Sequence, residues 1–176
     1  MSRIDRPDRF AAEFLIRAAV TDAERAAAAA LRRRVFVAEQ GVFAGDDRDA
    51  IDAVALPLVA LTGDTVAGTV RIHEAAPGVW WGSRLAVAPE HRRVGRLGAE
   101  LIRLAVGTAR ARGAREFHAH VQRQNAPLFL RLRWRIAAEV ELHGRAHLHM
   151  LADLASYATV MDPATGWRLS AAEPRP

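Results

Sequence analysis

Apolar and polar positions along this chain follow two periods, and the changes from one to the other mark its elements. Glu13-Phe14-Leu15-Ile16-Arg17-Ala18-Ala19-Val20 reads as a first strand. Thr21-Asp22-Ala23-Glu24 then opens a helix: a Thr hydroxyl can accept from the amide three residues on, and a Glu there can reach back. The Ala-rich run that follows predicts helix to about Glu39, with Gly41 as its stop. Gly41–Val54 carries Asp46, Asp47, Asp49 and Asp52 without a period, so it reads as a solvated loop with at most one helical turn. Leu56–Leu61 and Thr65–Glu74 are two strands joined at Gly63-Asp64, and Val79–Val87 is a third after the Pro77-Gly78 turn. Together they predict an antiparallel meander. From Arg96 to Arg112, apolar residues at Leu97, Leu101, Leu104, Ala105 and Ala109 predict a helix with one buried face, ended by Gly113. Glu116–Gln122 is a strand. Asn125–Trp134 is a short helix with Asn125 as N-cap and Pro127 in its first turn. Ala138–Leu142 and Ala146–Leu151 form a last hairpin around His143-Gly144-Arg145. No pattern is legible after Ser156, and the end from Ala171 to Pro176 reads as loose.

A chain of 176 residues without repeats or a linker fits one domain. The expected division is an extension over 1–12, a domain over 13–156 and a tail over 157–176. No apolar run is long enough to span a membrane, and Met1-Ser2-Arg3-Ile4-Asp5-Arg6 lacks a signal peptide's apolar core, so the cytoplasm is the expected location. The absence of cysteine excludes disulfides, thiolate-held zinc and a cysteine acyl-enzyme. The net charge of +5 does not point to nucleic acid: all 25 basic residues are Arg, and they are scattered among 20 acids. Such a surface still attracts a polyanion.

One stretch changes the picture. Arg84-Leu85-Ala86-Val87-Ala88-Pro89-Glu90-His91-Arg92-Arg93-Val94-Gly95-Arg96-Leu97-Gly98 runs from a strand through an Arg- and Gly-rich turn into a helix start. Amides and the positive end of the helix dipole converge there, which makes a seat for a pyrophosphate. The stretch resembles the acyl-CoA-binding motif of the GNAT acetyltransferases, Arg/Gln-x-x-Gly-x-Gly/Ala after a strand ending in Val-x-Pro. Arg92 and Gly95 match its first and fourth positions; Leu97 departs at the sixth, with Gly98 one place later. The element order over residues 13–154 also resembles the GNAT fold. The implied fold is α+β: a mixed, mostly antiparallel sheet of about seven strands flanked by about four helices.

Within that family, Leu31-Arg32-Arg33-Arg34-Val35-Phe36-Val37-Ala38-Glu39-Gln40 resembles the ElaA-type enzymes and, more distantly, the acyl-homoserine-lactone synthases. Gln122–Phe129 and His143–His147 resemble a subgroup encoded beside nitrilases and associated with nitrogen starvation, and this likeness is favoured.

The resemblance implies acetyl-CoA as co-substrate and the amine of a small molecule as acceptor. It assigns the pantetheine to the backbones of Leu85 and Val87. It places the pyrophosphate at Arg92, Arg93, Val94, Gly95, Arg96, Leu97, Gly98 and Ala99, with further contacts from Asn125 and Phe129. Many members protonate the leaving thiolate with a Tyr, and here that position is Leu130; the only Tyr, Tyr157, lies past the last predicted strand. His120, facing an acyl slot, and Glu39, at the end of the first helix, are the candidate bases. His147 and His149 have spacing that can hold zinc, but with no evident carboxylate partner no metal site is assigned. The acidic loop could instead recognise a cationic acceptor amine. Neither nucleic acid nor membrane is an expected partner, whereas a homodimer is, through Trp80, Trp81 and the final hairpin. Other readings of the same residues are a non-catalytic CoA-binding module and an acyl-homoserine-lactone-synthase-like enzyme.

Overall fold

In a computed structural model, residues 12–171 are described. The expected N-terminal extension and the end of the tail therefore lie almost wholly outside the described residues. One sheet of eight strands organises the fold, in the order β6-β7-β5-β4-β3-β2-β1-β8. The strands are β1 (Ala12–Ala18), β2 (Leu56–Thr62), β3 (Thr65–Ala76), β4 (Val79–Val87), β5 (Glu116–Gln122), β6 (Trp134–Leu142), β7 (Arg145–Ala152) and β8 (Trp167–Ala171). Every neighbouring pair is antiparallel except β4–β5, which is parallel. The helices are α1 (Asp22–Arg33), α2 (Leu97–Ala111) and α3 (Ala126–Arg131). A parallel neighbour needs a crossover, and α2 supplies it.

The Thr21–Glu24 capping box forms as expected. Beyond α1 the chain continues as a π-helical stretch, Arg34–Glu39, before Gly41 turns it at positive φ. α2 packs Leu101 and Leu104, both fully buried, against Phe14, Ile16, Ile72 and Phe117 on one face of the sheet. Burying each such leucine stabilises the fold by about 2 kcal/mol. Leu31 of α1, with Val35 and Phe36 of the π-helical stretch, covers part of the other face against Val59, Leu61 and Ala86. No helix among the described residues is long and apolar enough to cross a membrane.

Several expectations change. The segment after Ser156 is structured: Tyr157 is buried, and β8 pairs with β1 from Ala12↔Ala171 to Ile16↔Trp167. An eighth strand is thereby added at the β1 edge. Trp134 does not end α3 but begins β6, because Arg133 at φ 65° breaks the helix. Asn125 sits at the N-cap of α3 without a side-chain capping bond. Trp80 is buried in the core, and Trp81, half-buried, stacks on His118 and His149. The acidic loop is solvated only in part: Asp46 and Asp49 are exposed, but Asp47 is buried against Arg32 (2.7 Å) and Arg84 (3.1 Å), and Asp49 and Asp52 bind Arg71. Three guanidiniums held close to the sheet need counter-charge, and this loop supplies it.

Candidate active site

The site begins where two strands part. β4 and β5 pair from Val79↔Glu116 to Gly82↔Ala119 and no further. Past Gly82 the β4 edge from Ser83 to Val87 has no β5 neighbour. A bulge re-aims it there: two residues, Arg84 and Leu85, stand opposite Val70 alone, and Arg84 takes φ 57°. Such bulges add twist and redirect side chains. The wedge opens into a cavity of about 490 Å³. On the α2 side its wall includes Ile102, Ala119 and Phe129; on the α1 side it includes Phe36, Phe43 and His120. The cavity therefore passes through the sheet and reaches both faces.

At the end of β4, Pro89–Val94 forms a 3-10 turn and Gly95 follows at φ 69°. That conformation costs an L-residue about 1–2 kcal/mol, which accounts for the glycine. α2 then starts at Leu97 with no side-chain cap on its first turn. The amides of Leu97, Gly98 and Ala99 are left to a ligand or water. Leu97, the departure from the family motif, is buried in the core, so its side chain leaves this amide cluster open. Arg93 and Arg96 are exposed beside the cluster, and Val94 packs partly against the core. Two-point donation from Arg92 to Glu39 (2.6 and 3.0 Å) is joined by a third bond, from Nε to the Val87 carbonyl (3.0 Å). Glu39 thus faces the Pro89–Val94 turn, and it is not among the residues that line the cavity.

His120 does line it. Burial, then the imidazoles of His149, His147 and His118, push its pKa below the ordinary histidine value. At neutral pH His120 is the free base. Three further features carry chemistry that the sequence reading did not assign. His147 is buried on the cavity wall with Nδ1 2.9 Å from the Arg145 carbonyl. A carbonyl only accepts, so Nδ1 is the donor in that bond. His118 bridges His149 (2.8 Å) and Glu116 (2.8 Å) under the Trp81 ring. The third feature is the Arg–Asp network, which clamps the loop over β3 and β4; its sequence signal was an Arg in the otherwise apolar run Val66–Ile72. Asn125, free of capping, lines the cavity, as do Leu85 and Phe129.

A thiolate acid is not supplied by tyrosine. Leu130 is 49% exposed and lies off the cavity. Tyr157 donates to the Leu132 carbonyl and accepts from Trp134 Nε1 (3.0 Å), which spends its hydroxyl on packing.

The acetyltransferase (GNAT) family profile matches residues 19–130, from the start of α1 to the end of α3. The chain belongs to the GNAT acetyltransferase family. Among solved structures, this GNAT protein is similar to an N-acetyltransferase candidate from Lactobacillus plantarum, with 26% identity over 80% of this chain and 98% of that one, TM-score 0.73. Escherichia coli ElaA shares the fold at 17% identity over 80% and 98% of the two chains, TM-score 0.69. So does the CoA-dependent acyl-homoserine lactone synthase BjaI, solved with S-adenosylmethionine and isopentyl-CoA, at 18% identity over 80% and 83%, TM-score 0.65. No curated protein matches the chain. The expected α+β GNAT fold, with its mixed sheet, stands.

Proposed function

We propose that this GNAT protein transfers an acetyl group from acetyl-CoA to the amine of a small molecule, by direct attack within a ternary complex. The observation that carries this reading is the parting of β4 and β5 at Gly82 and Ala119, with an uncapped α2 N-terminus at one end of the wedge and His120 on its wall. The amides of Leu97, Gly98 and Ala99, with Arg93 and Arg96, suit a pyrophosphate. The open β4 edge around Leu85 suits the amide-bearing pantetheine arm, as an added strand would. Val87 offers less than expected, since its carbonyl already accepts from Arg92. Asn125 and Phe129 flank the same passage.

In the reaction, the ammonium first gives a proton to Nε2 or Nδ1 of the neutral His120. The amine nitrogen then attacks the thioester carbon; the C–N bond forms, the nitrogen gives up its surplus proton to water, and the C–S bond breaks. The thiolate takes its proton from water, since no tyrosine stands at the cavity. Holding the reactants together supplies most of the acceleration, and proton transfer adds about 10²–10⁴-fold. Glu39 has a different task in this reading: it restrains Arg92 until phosphate competes for that guanidinium. A second copy could pair along the exposed β6 edge, and light scattering at micromolar concentration tests that point separately.

Incubation with acetyl-CoA and a panel of small amines, followed by mass spectrometry, tests the function. Acetylated amine is the expected product. CoA binding without transfer to any amine would favour a non-catalytic module, and methylthioadenosine formed from S-adenosylmethionine and acyl-CoA would favour a lactone synthase.

A further inference from the structure

The acceptor side of the cavity is short of negative charge. Among the described residues only one carboxylate, Asp49, lines it. Both oxygens of that carboxylate are spent: Arg71 donates to them at 2.7 and 2.9 Å, Arg84 Nη2 at 3.3 Å and the Ile51 amide at 3.1 Å. The remaining titratable groups on the wall are Arg71, Arg84, His73, His120, His143 and His147. None of these can neutralise a cation. The acidic loop, which the sequence offered as a cation-binding element, is turned inward to neutralise arginines instead.

The rest of the wall is mostly apolar and aromatic, with Gln40, Ser83, Gln122 and Asn125 as its uncharged polar residues. Phe36 comes from the π-helical stretch, Phe43 from the loop and Trp81 from β4. Phe43 carries the Arg84 guanidinium on one contact (4.3 Å to the ring centroid) and His143 on another (4.5 Å between centroids). His73 Nδ1 is buried on this wall with no hydrogen-bond partner.

We infer that the acceptor is a monoamine with an apolar or aromatic body, whose reacting amine is its only cationic group. This rests on the N-acyltransferase reading above and names the substrate class for the same site. Two physical effects act in the same direction. A second ammonium would lose its hydration without gaining a carboxylate, a cost that no contact on the wall offsets. The reacting amine, desolvated in a cavity with no free carboxylate, has its own pKa depressed, which raises the fraction of free base able to attack. Polyamines and lysine side chains pay the first cost; a monoamine benefits from the second effect alone.

Matched acceptors test this. Pentylamine and cadaverine share a five-carbon chain and differ by one ammonium. With saturating acetyl-CoA, kcat/KM for pentylamine should exceed that for cadaverine by about 100-fold or more, and phenethylamine should exceed spermidine similarly. The Gln40→Glu variant places one carboxylate on the wall with little change of shape, and Gln122 can still donate to that position, as it now does at 2.9 Å. That variant should narrow the pentylamine–cadaverine gap at least tenfold. Equal or better use of cadaverine by the unaltered enzyme overturns the inference while leaving acyl transfer intact. A gap unmoved by Gln40→Glu overturns its electrostatic basis. Absence of transfer to every amine, with acetyl-CoA bound, overturns the underlying function and the inference with it.

Discussion

His120 couples a position to a charge state. It sits one residue past the last β4–β5 pair, where a side chain on the α1 face reaches the opening. Burial and three neighbouring imidazoles disfavour its cationic form. The sign follows: an unfolded histidine takes up its proton near pH 6.5, whereas folded His120 does so only at lower pH. Its contribution to stability is therefore complete above about pH 6.5 and is lost as the pH falls below it. Once the acceptor's own ionisation is allowed for, turnover should be level above neutrality and decline on the acid side with the folded His120. His120→Ala should lower kcat by about 10²–10⁴-fold at pH 7.5 without changing CoA affinity. Wild-type turnover in that variant, measured by steady-state kinetics, would remove His120 from the mechanism. Gly95 makes a complementary case. A Cβ there would meet nothing closer than the Arg93 carbonyl at 4.0 Å, so space is not the constraint; its φ of 69° is. Gly95→Glu adds that backbone strain and a negative charge at the pyrophosphate turn. Calorimetry should show CoA affinity reduced by at least about tenfold, roughly 1.4 kcal/mol.

Among the elements, the Arg–Asp network holds the loop over the sheet. Asp47 is 1% exposed and bridges Arg32 on α1 to Arg84 in the β4 bulge. Asp47→Ala would take one counter-charge from two largely buried guanidiniums, leaving Arg32 with Asp52 and Arg84 with Asp49. The expected loss is about 1–3 kcal/mol, read by urea denaturation at pH 7. Contact with Arg71 holds Asp49 below the usual carboxylate range; for Asp52, burial pushes upward, but bonds from Arg32, the Asp49 amide and Arg71 together hold it well below that range. These carboxylates stabilise the fold fully above about pH 4 and cease to do so as the pH drops through their depressed values. β8 depends on one glycine. A Cβ on Gly166 would lie 1.8 Å from the Ile16 carbonyl, at φ 57° besides. Gly166→Ala should therefore displace β8 from β1, detected as faster amide exchange along Ala12–Ile16. The α1 cap, the α2 stripe and the meander were legible because each is written within a few residues. The network was not, since Arg32–Asp47 and Arg84–Asp47 join residues 15 and 37 apart. β8 was missed for a related reason: Trp167–Ala171 is five residues long, with no second strand beside it in sequence.

For the whole molecule, topology makes the site. A parallel pair at the middle of an otherwise antiparallel sheet, closed over only four residue pairs, leaves a wedge that no local sequence pattern announces. The turn from Arg92 through Gly95 into the start of α2 was legible; the cavity wall was not, because it gathers Phe36, Phe43, His120 and His147 from four separate segments. In the proposed reaction, which has no tyrosine at the cavity, water is the proton source for the thiolate. Leu130→Tyr should therefore leave kcat unchanged, since residue 130 points away from the cavity; a rise in kcat would show that thiolate protonation limits the rate and that residue 130 reaches the sulfur. The most direct measurement is thiol release. The protein has no cysteine, so a thiol reagent reports CoA alone. Acetyl-CoA supplied with pentylamine should yield one CoA thiol for each N-acetylpentylamine, the two rising together and both lost in His120→Ala. Thiol release without acetylated amine, or neither product while calorimetry still shows acetyl-CoA bound, would contradict acyl transfer at this site.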